Sequence, residues 1–425
     1  MSATVSNLKV AILGFGTVGS SVARIICDLK PQGIELTHIY NRNVARKIAD
    51  WIPSRVQWTE DFETILESDV DVLLELVGGL EPAGKWVRRA LEARKSVVTA
   101  NKKLIAYQGI ELEKLARSNG IHLRYGAAVA GGIPVIPGLQ HGLAGDQVMR
   151  IDGILNGTCN FILSKMEEGA EFADVLGEAQ ALGYAEADPT EDVDGFDARA
   201  KLVILSRLAL RADIDPEDIP CRSIREVGAI DFAYARELGC TIRQIARAEL
   251  RDDFGNGDVL ASVGPMLVPK ASPLAWSRGT ENTVLVGGRY GGDVVFSGHG
   301  AGGHPTAVAV VSDVIGIAHG SRAVDLPSRK TAIGGEFLLR HSIRFVVCDQ
   351  PGIIAEIALA LAEQEINIHA IFQKPGYGKD NLPFVVTVEP CAASALHRAL
   401  ARIGRMGCLL EKPLDLQILE PEDRV

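Results

Sequence analysis

The sequence predicts a multidomain α/β and α+β protein. It expects a doubly wound parallel sheet first, a mixed α+β domain next, and a βαββαβ unit last. Three observations carry this expectation. Short apolar runs alternate with helical patterns over about the first 125 residues, which is the rhythm of a parallel sheet with crossover helices. A glycine-rich turn follows the first of these runs and opens a helix. The stretch from Phe337 onward has a strand and helix order of its own.

Val10–Leu13, Glu35–Tyr40, Val72–Leu76 and Val97–Thr99 read as buried strands, with helices such as Gly19–Asp28 and Gly84–Ala93 between them. "YGAAVAGGIPVIPGL" breaks that rhythm with Gly and Pro and reads as a crossover between domains. "MRIDGILNG" is strand-like, and Asn160–Glu168 and Asp197–Leu210 are helical. "DVLASVGPMLVP" and "NTVLVGGRYGGDVVFSG" look like antiparallel strands joined by Gly turns. "GAGGHPTAVAVVSDVIGIAHG" gives a Gly-rich turn and a long apolar helix, and "RAVDLPSRKTAIGGE" reads as a linker. Last come a strand (Ser342–Val347), a turn (Asp349 to Gly352), a helix (Ile353–Gln364), strands at Asn367–Phe372 and Phe384–Val388, a helix (Ala392–Arg402) and a final strand. The expected domains are 1–135, completed by about 298–320; 136–297 for substrate binding and dimerisation; a linker, 321–336; and a regulatory domain, 337–425.

Composition narrows the function classes. The 425 residues are 47% hydrophobic and 23% charged, enough for a sizeable core. The formal net charge is -10 and no basic block stands out, so nucleic acid is a poor partner. The seven cysteines are scattered without a CxxC pair, which argues against zinc or a disulfide framework and for a reducing cytoplasm. No basic n-region precedes a long apolar core at the start of the chain. No stretch approaches the roughly 20 apolar residues that span a bilayer.

"VAILGFGTVGSSVARII" is a strand, then Gly14-x-Gly16-x-x-Gly19, then a helix. The first glycine permits the tight turn, the second lets backbone approach a pyrophosphate, and the third lets helix and strand pack closely. In this βαβ setting the motif predicts a Rossmann-type dinucleotide site over Gly14, Phe15, Gly16, Thr17, Val18 and Gly19. The second strand ends in "HIYNRN", with no acid to take a ribose hydroxyl. Arg42, with Lys47, could pair with a 2′-phosphate, which favours NADP over NAD. Solvated surface charge is the plainer reading of both. "LLELVGG" places Glu75 at one strand end, and "VVTANKK" places Ala100, Asn101 and Lys102 at the next. Ligands bind at such carboxyl ends. Lys102 or Lys103 would face the nicotinamide or substrate; a helix start is the bland alternative.

"GYAEADPTEDVDGFDARAKLVIL" puts six carboxylates between Glu186 and Asp197, ahead of Lys201 and an apolar run. Acids are favoured at a helix N-terminus, which explains two or three of them. Asp197 and Lys201 are four apart and share a helical face. A buried lysine needs a partner, and its pKa falls readily, which suits proton transfer. Clustered acids such as Glu186 and Asp192 suit a substrate ammonium group. Together they describe an amino-alcohol or amino-aldehyde oxidoreductase.

These stretches resemble homoserine dehydrogenase of the form that carries a C-terminal ACT domain. The similarity lies in "GFGTVG", "ELVGG", "TANKKLIA", "AAVAGGIPVI", "LNGTCNFIL", "LGYAEADPTEDVDGFDARAKL", "DFAYARELG", "LVPKASPLA" and "GAGGHPTAVAVVSD", and in "DQPGIIAEIALALAE" for the ACT unit. The resemblance implies reversible reduction of L-aspartate 4-semialdehyde to L-homoserine with NAD(P)H. It implies Lys201 as the catalytic lysine, Lys102 as a second lysine, and Asp197 as an orienting acid. It also implies Glu186, Asp192, Thr158 and Gly157 at the substrate, and Gly302 at the cofactor crevice. Asp349, Gly352 and Ile353 would form an effector turn, with an amino acid such as threonine as inhibitor; an ACT unit that only dimerises is the alternative. A homodimer or homotetramer is expected. The family usually has a Glu where this chain has Gly126. That Glu and carbonyls at positions like Val129 and Gly131 bind a monovalent cation, so the cation site here lacks a carboxylate.

Two rivals compete. Cys159, in "GTCNF", could be the nucleophile of a semialdehyde dehydrogenase; no His lies close in sequence, although a distant one could fold in. A nucleotide-binding amino-acid sensor without catalysis would need no proton-transfer lysine.

Overall fold

The computed structural model describes residues 7–251, 258–321 and 328–420. In chain order the first elements are β1 (Leu8–Leu13), α1 (Thr17–Leu29), β2 (Ile34–Tyr40), β3 (Gln57–Thr59), α2 (Phe62–Leu66), β4 (Val72–Glu75), α3 (Ala83–Glu92), β5 (Ser96–Thr99), α4 (Lys102–Ser118) and β6 (Leu123–Arg124). Their strands form one sheet in the order β3-β2-β1-β4-β5-β6, and every neighbour is parallel. All residues of β4 and β5 are buried. That explains their unbroken apolar runs, because helices cover both faces of a parallel sheet. β3 and β6 are short and sit at the two edges; their sequences carry too few residues for a periodic signal.

The crossover stretch holds a 3-10 turn (Gly126–Ala128), α5 (Val135–Pro137) and a π turn (Gly138–Gly142). Then come β7 (Val148–Ile154), α6 (Gly157–Glu167), α7 (Phe172–Ala181), α8 (Thr190–Val193), α9 (Phe196–Leu205), a second π turn (Ser206–Leu210), β8 (Ala212–Asp213), α10 (Ala229–Glu237), β9 (Cys240–Leu250), β10 (Val259–Pro269), β11 (Glu281–Gly288), β12 (Gly292–His299) and α11 (Gly303–Ala318). The helix expected over Asp197–Leu210 therefore changes pitch at Ser206, and Arg211 ends it with φ of 56°. The chain closes with β13 (Arg329–Lys330), β14 (Leu338–Val347), α12 (Ile353–Ala362), β15 (Ile368–Gln373), β16 (Leu382–Ala392), α13 (Ala393–Ile403) and β17 (Leu414–Ile418). Of the expected linker 321–336, residues 322–327 lie outside the described residues, as do 421–425 of the last expected domain. Within that linker β13 pairs in parallel with β8, Lys330 opposite Asp213.

The described residues fall into two units. The first takes 7–151, 199–218, 280–321 and 328–331. In it α11 packs on α1: a Cβ at Gly303 would stand 2.7 Å from Ser21 Oγ, and Ser21 Oγ lies 3.2 Å from His304 Nδ1. Val310, Val311 and Val314 of α11 join Val10, Ile12, Val22 and Ile26 in one apolar core. The second unit takes 152–198, 219–251, 258–279 and 332–420. Its strands run β9-β10-β17-β14-β16-β15. β9 and β10 pair antiparallel over their full lengths, whereas β10 and β17 are parallel, so the sheet is mixed. β14, α12, β15, β16, α13 and β17 form the βαββαβ order, with a core that includes Ile343, Phe345, Ile357, Leu361, Val386 and Leu396.

Candidate functional site

In the first unit the glycine-rich turn is built by exclusion. Gly14 has φ of 101°, and a Cβ there would lie 2.9 Å from the Leu76 carbonyl oxygen. A Cβ at Gly19 would lie 2.0 Å from the Gly14 carbonyl oxygen, which no side chain could tolerate. Gly16 differs: beyond its own chain neighbours, no described atom lies within 4 Å of where its Cβ would be. Gly16 is also the N-cap of α1 and makes no side-chain capping bond, so the amides of Thr17 and Val18 open a helix suited to an anion. Phe15 turns inward instead, its ring edge-on to Trp58 at 4.9 Å, and its N–H donates to Asn41 Oδ1 at 3.4 Å. Arg42 and Lys47 are exposed, the condition for reaching a phosphate in solvent.

At the ends of β4 and β5 the polar groups hold one another. Glu75 is fully buried. One of its oxygens accepts from the amides of Val77 and Gly78, each at 2.9 Å; the other accepts from the Thr99 hydroxyl at 2.6 Å. Its side chain thus fixes the turn into Gly78-Gly79 rather than offering a free carboxylate. Asn101 caps α4: Oδ1 accepts from Leu104 N at 3.0 Å, and Nδ2 donates to the Gly79 carbonyl at 2.6 Å. Ala100 stands between these two groups, its N–H 3.5 Å from the Glu75 carbonyl. Lys102 and Lys103 are the first two residues of α4, both half-buried. Gly302, with φ of 115°, caps the start of α11.

In the second unit one residue organises the acids. Asn156 caps α6, its Oδ1 accepting from Cys159 N at 2.8 Å. Its Nδ2 donates to Asp192 at 2.7 Å and to Asp197 at 2.9 Å. The resemblance points to its neighbours Gly157 and Thr158 and not to Asn156. Its position as a helix cap was the available signal. Thr158 donates to the Tyr184 carbonyl at 2.6 Å, which anchors the loop that presents Glu186. Glu186 is exposed, and its backbone carbonyl accepts from Gln180 at 3.0 Å. The remaining acids divide. Asp188 caps the turn at Thr190 at 3.1 Å, and Asp194 accepts from Ser223 at 2.6 Å. Asp197 is 5% exposed; Lys201, one turn on along α9 and in the first unit, is 9% exposed, which matches the expectation of a buried lysine.

Cys159 is fully buried, and its Sγ donates to the Asp192 carbonyl at 3.1 Å. Burial, with Asp192 and Asp197 nearby, pushes its thiol well up. That is the opposite of what a thiolate nucleophile needs.

Near Gly126 the missing carboxylate has a counterpart. Gly126 N donates to Asp313 of α11 at 2.7 Å, and a Cβ at Gly126 would fall 2.9 Å from that carboxylate. Burial pushes Asp313 up to about 6, against the pull of the Gly126 amide and Arg124. Val129 is fully buried, and a Cβ at Gly131 would lie 2.6 Å from the Gly300 carbonyl. Among the described residues no group of three or more His, Cys, Asp or Glu is placed to hold a metal ion.

In the turn before α12, Gly352 takes φ of 99° and caps that helix. Asp349 N donates to the Lys379 carbonyl at 2.6 Å, and Ile353 is buried in the core of the βαββαβ unit. No described helix is long and apolar enough to cross a membrane.

Comparisons with known proteins point one way. The family model "Homoserine dehydrogenase, NAD binding domain" matches residues 14–126, and "Homoserine dehydrogenase" matches 134–315. A homoserine dehydrogenase of Synechocystis is 36% identical, covering 97% of this chain and 100% of that one. The crystal structure of a homoserine dehydrogenase from Thiobacillus denitrificans superposes with a TM-score of 0.89 at 32% identity, over 98% of this chain and 99% of that one. A hyperthermophilic archaeal homoserine dehydrogenase in complex with NADPH has a TM-score of 0.64 at 29% identity, over 75% of this chain and 100% of that one.

Proposed function

The chain belongs to the homoserine dehydrogenase family of oxidoreductases, and on that premise we propose that it interconverts L-homoserine and L-aspartate 4-semialdehyde, with NADP preferred over NAD. The observation that carries the reading is the buried Lys201 one helical turn after Asp197, an acid that Asn156 ties to Asp192. Oxidation of homoserine takes a hydride from the carbinol carbon and a proton from its hydroxyl. A bound nicotinamide would supply the hydride acceptor; neutral Lys201 takes the proton, and Asp197 orients the lysine. Asp192 and Glu186 hold the substrate ammonium, with Thr158 and Gly157 alongside. Lys102, or Lys103 beside it, is the second lysine near the substrate and the nicotinamide.

The glycine turn fits a dinucleotide. Gly14 and Gly19 close it, Gly16 leaves space, and the first amides of α1 face an anion without a side-chain cap. Arg42 is the group for a 2′-phosphate. The βαββαβ segment supports an ACT-type regulatory role, with Asp349, Gly352 and Ile353 at an amino-acid effector such as threonine. A homodimer or homotetramer in the cytoplasm completes the proposal. For a monovalent cation the backbone carbonyls of Val129 and Gly131 are the candidate ligands, because Gly126 brings no side chain.

Homoserine-dependent reduction of NADP and of NAD at alkaline pH, with and without threonine, tests this directly. Absence of turnover with both cofactors would overturn the catalytic reading. Full rate at high threonine would overturn the effector.

A further inference from the structure

The two helices that carry the proposed lysines are tied together by an arginine that neither the motif nor the acidic stretch announces. Arg207 lies in the π turn that follows α9, six residues after Lys201. Its side chain is 5% exposed. Nη1 donates to the Ile105 carbonyl at 2.9 Å and Nη2 to the Ala106 carbonyl at 3.0 Å, both on α4. Nε and Nη2 donate to Asp213 at 3.1 and 2.9 Å. The helical carbonyls of α4 already accept from amides four residues on, so the guanidinium takes their second lone pairs. A guanidinium this deep requires such partners.

Gly109 makes the approach possible. A Cβ at that position would stand 2.6 Å from Arg207 Nη1. Glycine inside a helix is unfavourable relative to alanine, so its presence at mid-helix has a physical reason here. Nearer the surface the same helices are joined again. Tyr107 donates to Glu217 at 2.5 Å and Arg199 donates to Glu217 at 2.8 Å. Arg199 and Arg207 thus bracket Lys201, and their α4 partners fall within the two turns after Lys102 and Lys103. All of these residues belong to the first unit.

We propose that Arg207, admitted by the missing side chain of Gly109, is a positioning residue that fixes the spacing between the Lys102–Lys103 start of α4 and Lys201 of α9. The inference rests on the functional reading above. It acts through the lysines and touches no substrate.

The test uses the full chain with Gly109→Ala, Arg207→Ala, Arg207→Lys and the double variant Gly109→Ala/Arg207→Ala. Alanine at 109 should raise the melting temperature when Arg207 is absent, as helix propensity dictates, and fail to raise it when Arg207 is present. In the parent background Gly109→Ala should lower kcat about tenfold or more, with KM for homoserine and NADPH affinity within about twofold, because a small misplacement costs rate rather than binding. Arg207→Lys should recover part of the kcat lost in Arg207→Ala. An equal melting shift in both backgrounds overturns the clamp, and a kcat within about twofold of the parent overturns its positioning role. A parent without homoserine-dependent turnover would sink the functional reading, while the melting-temperature contrast would still decide the clamp.

Discussion

The side-chain amide of Asn156 donates to the Asp197 carboxylate at 2.9 Å, across 41 residues of chain. The same nitrogen holds Asp192, and the same residue's oxygen caps α6. Asn156→Ala should lose about 1 kcal/mol of cap, with a further penalty from the buried Asp197 and the half-buried Asp192, which each lose a donor. Asn156→Asp keeps a cap but sets a third carboxylate against two others, so its stability should fall further as pH rises from 4 to 8. Urea melts of both variants across that range check the order; a flat Asn156→Asp profile would count against the bridge.

Lys201→Ala should lower kcat by about 10²–10⁴-fold, the range for losing a positioned acid or base. NADPH affinity should change little. A variant with near-parent kcat would remove Lys201 from the mechanism.

Glu186→Gln should act mainly on KM for homoserine, since it deletes a partner for the ammonium and leaves the proton carrier in place. The side chain is exposed, so melting should be unaffected. A change confined to kcat would reassign the residue.

Gly16→Ala separates binding from folding. No described atom lies near the added methyl, so the melting temperature should hold. Dinucleotide affinity should fall, because the methyl would stand where a pyrophosphate approaches. Fluorescence titration with NADPH measures it, and unchanged affinity would place the dinucleotide elsewhere.

Asp313 gives a pH signature. Its folded value, about 6, lies above the ordinary value of 3.8. Folding therefore favours the protonated acid, and this stability is present at low pH and lost as pH rises through about 6. Relative to Asp313→Asn, the parent should gain about 1.4 kcal/mol on going from pH 8 to pH 5. Parallel denaturant melts at the two pH values measure the difference. A parent that gains nothing would show that Asp313 is solvated.

Much of this was legible in the chain. Local signals carried it: the glycine spacing after β1, the apolar runs of β4 and β5, and the lysine placed in an apolar helix. What stayed hidden depends on distant returns of the chain. Gly126 announced a missing carboxylate, but Asp313, 187 residues on, fills its space. Asn156 could be read as a cap, but its acids arrive 36 and 41 residues later. The pitch change at Ser206 gave no periodic sign, because the carbonyls that hold Arg207 lie about 100 residues earlier. The end of β4 places Glu75 beside the crevice, but its bonds to the Val77 and Gly78 amides and to the Thr99 hydroxyl come from the fold of the turn and the neighbouring strand.

The three glycines of the first turn are not equivalent. Gly14 and Gly19 are demanded by the chain's own atoms, at 2.9 and 2.0 Å. A lineage that abandoned its nucleotide would still be obliged to keep them. Gly16 is under no such internal obligation, so drift would be free to replace it once the ligand was gone. The middle glycine is thus the position at which retained binding and inherited architecture can be told apart.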